Sequence, residues 1–173
     1  MKKIAVIIAF RDFRDEEYFV PKEILKSAGF EITTVSTEKG LAMGAEGGEV
    51  EIGILLEDLN PADFDAVVFI GGPGALKHLD NENSYKIARD AVSRDKLLAA
   101  ICITPVILAK AGVLMGKKAV VWSSTMDKSA IKVLEKNHVS YLKDPVVIDG
   151  KIITASGPEA ARSFAEAIIT ALR

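Results

Sequence analysis

The chain has 173 residues, 49% hydrophobic and 27% charged, a balance that suits one globular domain, 1–173, able to bury its own core. Its 22 basic and 24 acidic residues are interspersed and leave a formal net charge of −2, which gives neither a nucleic-acid footprint nor a polybasic membrane patch. The single cysteine, Cys102, excludes an intrachain disulfide and a cysteine-cluster metal site; the two histidines, His78 and His138, are far apart, so no metal or other cofactor is expected.

The start, Met1-Lys2-Lys3 followed by Ile4 to Phe10, faintly resembles a signal peptide. Its apolar stretch covers only seven residues, runs into Arg11-Asp12-Phe13-Arg14-Asp15 and meets no small-residue cleavage site. Thr104, Pro105 and Lys110 interrupt the best candidate for a membrane span. A soluble, cytoplasmic protein is expected.

Lys3 to Phe10 is apolar on both faces, as a central parallel strand requires. A helix over about Glu17–Ala28 follows, with Pro21 near its first turn, a buried stripe of Phe19, Ile24, Leu25 and Ala28, and Gly29 at its C-terminal cap. Glu31–Ser36 reads as a strand, and 40–54 as a small hairpin excursion. Asp65–Ile70 is a buried strand that ends on Gly71-Gly72-Pro73-Gly74, and a polar helix spans about Asn83–Arg94.

Leu97–Ile101 is a strand that delivers Cys102, and Pro105 opens a helix closed by Gly112. Ala119–Trp122 is β-like, and Ser123-Ser124-Thr125 are expected to cap a helix reaching Asn137. Val139–Leu142, then Val146–Ile148 and Ile152–Ala155 turned at Asp149-Gly150, add strands before a last helix over about Glu159–Leu172. This alternation predicts a mostly parallel sheet with helices on both faces, whose ligand site lies at the carboxyl ends of the strands.

Three features fall at such ends. Cys102 passes from a buried strand straight into a helix, the turn that exposes a nucleophile. The first turn of that helix is expected to lower the thiol pKa. The alternative is a buried, inert cysteine. The glycines of Gly71-Gly72-Pro73-Gly74 let backbone N–H groups approach a developing oxyanion, or simply make a tight loop. No dinucleotide or phosphate-loop motif is present. Asp15, Glu16 and Glu17 open the first helix, where the dipole favours acids in any case; a carboxyl held beside a thiol can hydrogen-bond to it when protonated. His78 reads as an exposed helix position more readily than as a catalytic one, and His138 as a surface residue at a helix end.

Taken in order, these pieces resemble the ThiJ/PfpI superfamily, which includes the parkinsonism-associated deglycase and intracellular peptidase-like proteins. The resemblance runs through 15–21, Val67–Gly74, Ala99–Cys102, Ala111–Leu114 and 149–154. It implies a flavodoxin-like three-layer sandwich similar to the class I glutamine amidotransferases. By position it implies Cys102 as nucleophile, Glu17 as the glutamate beside it, and the amides of Gly72 and Ile103 as oxyanion donors. Gly71, Pro73, Thr104 and Trp122 are further pocket candidates. It also implies a homodimer or larger homo-oligomer, with the pocket close to a subunit interface.

The departures bear on function. Ile103 and Thr104 stand where peptidase-like members carry His-Gly, Trp122 holds the place of the deglycase-like histidine, and Ala155-Ser156 replaces Ser-Arg. An efficient cysteine peptidase is therefore disfavoured, since a positioned acid–base group is worth about 10²–10⁴ in rate. The expected activity is glyoxalase- or deglycase-like, on a small carbonyl substrate, in stress protection. The alternatives are a non-catalytic redox-sensing or chaperone-like stress protein and, third, the peptidase.

Overall fold

Central strands apolar on both faces dictate the architecture. In a computed structural model describing residues 1–173, β1 (Lys3–Ile7) sits inside the sheet, with Ile4 and Val6 packed to one side and Ala5 and Ile7 to the other. The chain then makes a short strand β2 (Arg11–Phe13) and helix α1 (Asp15–Ser27), capped past its end by Gly29 at φ +93°. Strand β3 (Glu31–Ser36) follows; β4 (Leu41–Gly44) and β5 (Glu49–Glu51) form the expected hairpin, to which β2 adds a third strand. After β6 (Ile54–Leu55) comes β7 (Ala66–Phe69), then α2 (Ala75–Leu79) and α3 (Glu82–Ser93).

Strand β8 (Leu97–Ile101) leads through the elbow into α4 (Pro105–Ala111), which Gly112 ends in the left-handed conformation. The rest is β9 (Lys118–Ala119), α5 (Ser129–Lys136), β10 (Ser140–Tyr141), β11 (Val146–Asp149), β12 (Ile152–Ala155) and α6 (Ala161–Leu172). The main sheet has the order β11-β12-β8-β7-β1-β3-β6 and is parallel except for β11. Helices α1 and α6 cover one face through Tyr18, Leu25, Phe164 and Ile168. Helices α3, α4 and α5 cover the other through Ile87, Val106, Leu108 and Leu134. The mostly parallel three-layer sandwich expected from the alternation is thus present.

Several local expectations are corrected. Tyr18, not Phe19, fills the core side of α1: its hydroxyl shares a buried hydrogen bond of 2.6 Å with Thr34 Oγ1, while Phe19 is exposed. Helix α1 begins at Asp15, so Pro21 lies well inside it and leaves the Glu17 carbonyl without its intrahelical donor. The 123–125 segment does not cap α5. Ser124 Oγ instead accepts from Asp127 N–H at 3.0 Å, and the helix starts later, at Ser129.

For function, one alignment matters most. Ile7 pairs with Phe69, and Phe69 with Ala100, so β1, β7 and β8 end side by side at the middle of the sheet. The loops leaving those ends meet there.

Candidate active site

Cys102 is held in a conformation that an L-residue adopts reluctantly, with φ +66°. Its neighbours impose it. The Cys102 N–H donates to Ala155 O at 2.9 Å, and its carbonyl accepts from Trp122 N–H at 2.7 Å. Thr104 pins the turn from below: Oγ1 accepts from Ile101 N–H at 3.1 Å and lies 2.8 Å from Ile101 O and 3.1 Å from Phe69 O. Thr104 is fully buried and does not line the pocket for which its position made it a candidate; it shapes the elbow.

The acidic triplet divides by role. Asp15 caps the hairpin loop, accepting from Glu46 N–H at 2.9 Å and Gly48 N–H at 2.8 Å. Glu16 points to solvent. Glu17 is 0% exposed, and its Oε1 accepts from Gly71 N–H at 3.0 Å. Its other oxygen, Oε2, is buried without a well-formed hydrogen bond, although carboxyl and Cys102 thiol lie close enough to shift each other's proton affinity.

Gly71 belongs to this support and is not among the residues lining the cavity. A Cβ there would come within 2.6 Å of Cys102 Cβ and 2.8 Å of Glu17 Oε1, so no larger residue fits. Gly72, at φ +127°, is equally constrained: a Cβ would lie 2.3 Å from Arg14 N.

Electrostatics overturns one expectation. Burial pushes the Glu17 carboxyl up to about 7, against the opposing pull of the Cys102 thiol, the Gly71 N–H and the Arg14 guanidinium. Burial also pushes the Cys102 thiol well above its usual range, and the Glu17 charge adds to it. The Ile103 N–H and Arg14 lower it only in part. The expected depression by the helix dipole fails because Cys102 is only 8% exposed and stands before a helix of just 7 residues. At neutral pH this pair holds a protonated thiol beside a titrating carboxyl.

Cys102 opens onto a cavity of about 280 Å³, lined also by Arg14, Gly72, Pro73, Leu76, Ile103 and Trp122. That is just below the ~300–1,000 Å³ common for ligand pockets and suits a small molecule. The amides of Gly72 and Ile103 donate to no backbone or side-chain oxygen of the chain. Neither His78 nor His138 lines the cavity. Trp122 does, on the wall where the resemblance placed a histidine.

Arg14 is the residue that sequence reasoning missed. It stands in the loop after β2, its N–H donates to Gly71 O at 2.9 Å, and it supplies the cavity's one charged side chain. The available signal was an arginine directly ahead of the acidic triplet, in a loop already placed at the carboxyl edge. A wider groove of about 540 Å³ lies at the opposite, amino edge of the strands. Its Lys2–Asp65 and Lys151–Asp95 pairs satisfy each other, and neither Cys102 nor a histidine lines it.

A model of the DJ-1/PfpI family matches residues 2–171. An uncharacterized protein of Methanocaldococcus jannaschii is 37% identical over 171 residues, covering 98% of this chain and 82% of that one. Deglycase PfpI of Pyrococcus furiosus is 31% identical over 153 residues, 88% of this chain and 89% of its own. Among solved structures, a ThiJ/PfpI domain protein from Brachyspira murdochii superposes with a TM-score of 0.92 at 30% identity, covering 98% of this chain and 95% of that one.

Proposed function

The chain belongs to the DJ-1/PfpI family, and from that membership and the cavity onto which Cys102 opens we propose an enzyme that uses Cys102 to process small reactive carbonyl compounds. The observation that carries the reading is geometric: a fully buried carboxyl, Glu17, lies beside the only thiol, and that thiol opens onto a small cavity. Deglycase-named relatives at about 30% identity point the same way.

Because the thiol is raised rather than depressed, attack begins with Glu17 as base. Glu17 takes the thiol proton as Sγ bonds to the aldehyde carbon. The C=O π pair moves to oxygen, where the Gly72 and Ile103 amides receive it. Glu17 then returns the proton to that oxygen, giving a hemithioacetal and a restored carboxylate. For a 2-oxoaldehyde, the aldehyde-carbon hydrogen leaves as a proton while the ketone oxygen gains one, giving an enediol; protonation of the adjacent carbon and loss of the hemithioacetal hydroxyl proton then leave a 2-hydroxy thioester. Water hydrolyses it to the 2-hydroxy acid and frees Cys102. The carbonyl is already electrophilic, so this route asks less of a histidine than amide cleavage does.

The test is turnover of methylglyoxal by the wild type against Cys102→Ala. Equal rates would end the proposal. A second reading, a redox sensor, is favoured by the same carboxyl: protonated below about pH 7, Glu17 can donate to a sulfinate oxygen of oxidised Cys102. Mass spectrometry after mild peroxide decides it, and a Cys102 that stays reduced counts against it. A peptidase finds less support, because no histidine of the chain lines the cavity.

A further inference from the structure

The cavity beside Cys102 has one charged wall. Arg14 contributes the only ionised side chain among its lining residues, which are otherwise glycine, proline, aliphatic, indole and thiol groups. Its position is fixed by the backbone: Arg14 N–H bonds to Gly71 O at 2.9 Å, and its carbonyl accepts from Tyr18 N–H at 3.2 Å in the first turn of α1. The head group is far from saturated. A guanidinium has five N–H donors, yet Nε is buried with no acceptor, and Nη1 has only a long 3.5 Å contact to Glu46 Oε1. Glu46 is exposed and free to swing away. No neighbouring acid hydrogen-bonds the head group: Asp15 is held by the amides of the hairpin loop, and Glu17, which feels the guanidinium's charge, bonds through Oε1 to Gly71 N–H.

We infer that Arg14 is an anion-recognition residue of this cavity, and that the preferred substrate is a small carbonyl compound that also carries a carboxylate. Planar guanidinium and carboxylate form paired, charge-assisted hydrogen bonds, and at a half-buried arginine such a contact selects against a neutral analogue. A carboxylate on Arg14 orients the carbonyl end toward Cys102 and leaves the Gly72 and Ile103 amides for the oxyanion. The inference rests on the carbonyl reading for the reaction, but not for binding. The chemistry needs no added reagent: 4,5-dioxopentanoate plus water gives 2-hydroxypentanedioate by the steps written above.

Two arms test it. In the first, kcat/KM is measured for 4,5-dioxopentanoate and for neutral methylglyoxal. Arg14→Gln shifts both absolute rates, since the guanidinium also acts on Cys102 and Glu17, so the ratio is what discriminates. We expect the ratio to fall about 10–100-fold, the worth of one hydrogen bond to a charged group. An unchanged ratio overturns the inference.

The second arm removes the chemistry. Trp122 is the chain's only tryptophan and lines the cavity, so its fluorescence reports occupancy. In Cys102→Ala protein, levulinate should bind about 10–100-fold more tightly than uncharged levulinamide. Adding Arg14→Gln should remove that preference, while Glu46→Gln, which frees the guanidinium, should tighten levulinate about 2–5-fold. Opposite movements cannot come from misfolding. Equal binding of the two ligands overturns the inference. Absence of turnover with either 2-oxoaldehyde counts against the carbonyl reaction alone, and the binding arm then decides the anion site.

Discussion

The Gly71 N–H donates to Glu17 Oε1 at 3.0 Å, and this one hydrogen bond determines which carboxyl oxygen remains for Cys102. Oε1 is held by the backbone of the β7 loop, so Oε2 alone is left without a partner. The arrangement couples a residue of α1 to the loop after β7 and, through both, to the elbow after β8.

If Glu17 acts as the base, its ionisation sets the rate. The carboxyl titrates at about 7, so kcat/KM for methylglyoxal should rise with pH through an apparent pKa near 7. Glu17→Gln should abolish that limb and lower kcat by about 10²–10⁴. A pH–rate profile of both proteins checks this; an unaltered limb in the variant would assign it to another group.

The same carboxyl makes folding depend on pH. Its folded value, about 7, lies above the ordinary carboxyl value of 4.5, so the unfolded chain loses this proton first as pH rises. The contribution is fully present below about 4.5 and is lost by the time pH passes about 7. Over that interval it amounts to about 3 kcal/mol at ~1.4 kcal/mol per pH unit. Denaturant melts should show the wild type losing stability across this window, with a shallower slope in Glu17→Gln.

Gly71→Ala should damage the site while leaving both Cys102 and Glu17 in the sequence, because the new methyl crowds them directly. The added methyl meets Cys102 Cβ at 2.6 Å and Ile101 O at 2.9 Å, and the backbone has little room to give. A loss of ~1–3 kcal/mol is expected from such overpacking. It should appear as a fall in Tm of roughly 2–4 °C per kcal/mol, with impaired turnover alongside.

Tyr18 and Thr34 offer a test of the α1–sheet contact. Tyr18→Phe strands a buried Thr34 hydroxyl and should cost ~1–3 kcal/mol. Tyr18→Phe with Thr34→Val removes both polar partners and should recover much of that loss. If the double variant is as unstable as the sum of the singles, the hydrogen bond is not the source.

The elements most legible in the sequence are those whose local pattern and tertiary fate agree. Runs such as Leu97–Ile101 are apolar on both faces and can only be central strands, and the Pro105 start and Gly112 stop of α4 are local chemistry. Cys102 at the elbow was readable for the same reason. What was not legible depends on contacts distant in sequence. Tyr18 and Phe19 are adjacent aromatics, and only the reach of the Tyr18 hydroxyl to Thr34 decides which one is buried. The thiol was expected to be acidic because a helix follows it, whereas its actual state is set by burial and by a carboxyl from the other end of the chain. Arg14 enters the site only once β7 and the loop after β2 lie side by side.

The left-handed backbone of Cys102 has a consequence for how the molecule is selected. Such a conformation costs an L-residue roughly 1–2 kcal/mol, and only glycine adopts it freely. Asp12, also at positive φ, joins the same junction through its carbonyl, which accepts from Gly74 N–H at 3.0 Å. The fold is therefore locally frustrated where its proposed chemistry lies. Selection for stability alone would favour glycine at position 102, so the presence of a cysteine in that conformation points to a use for its sulfur.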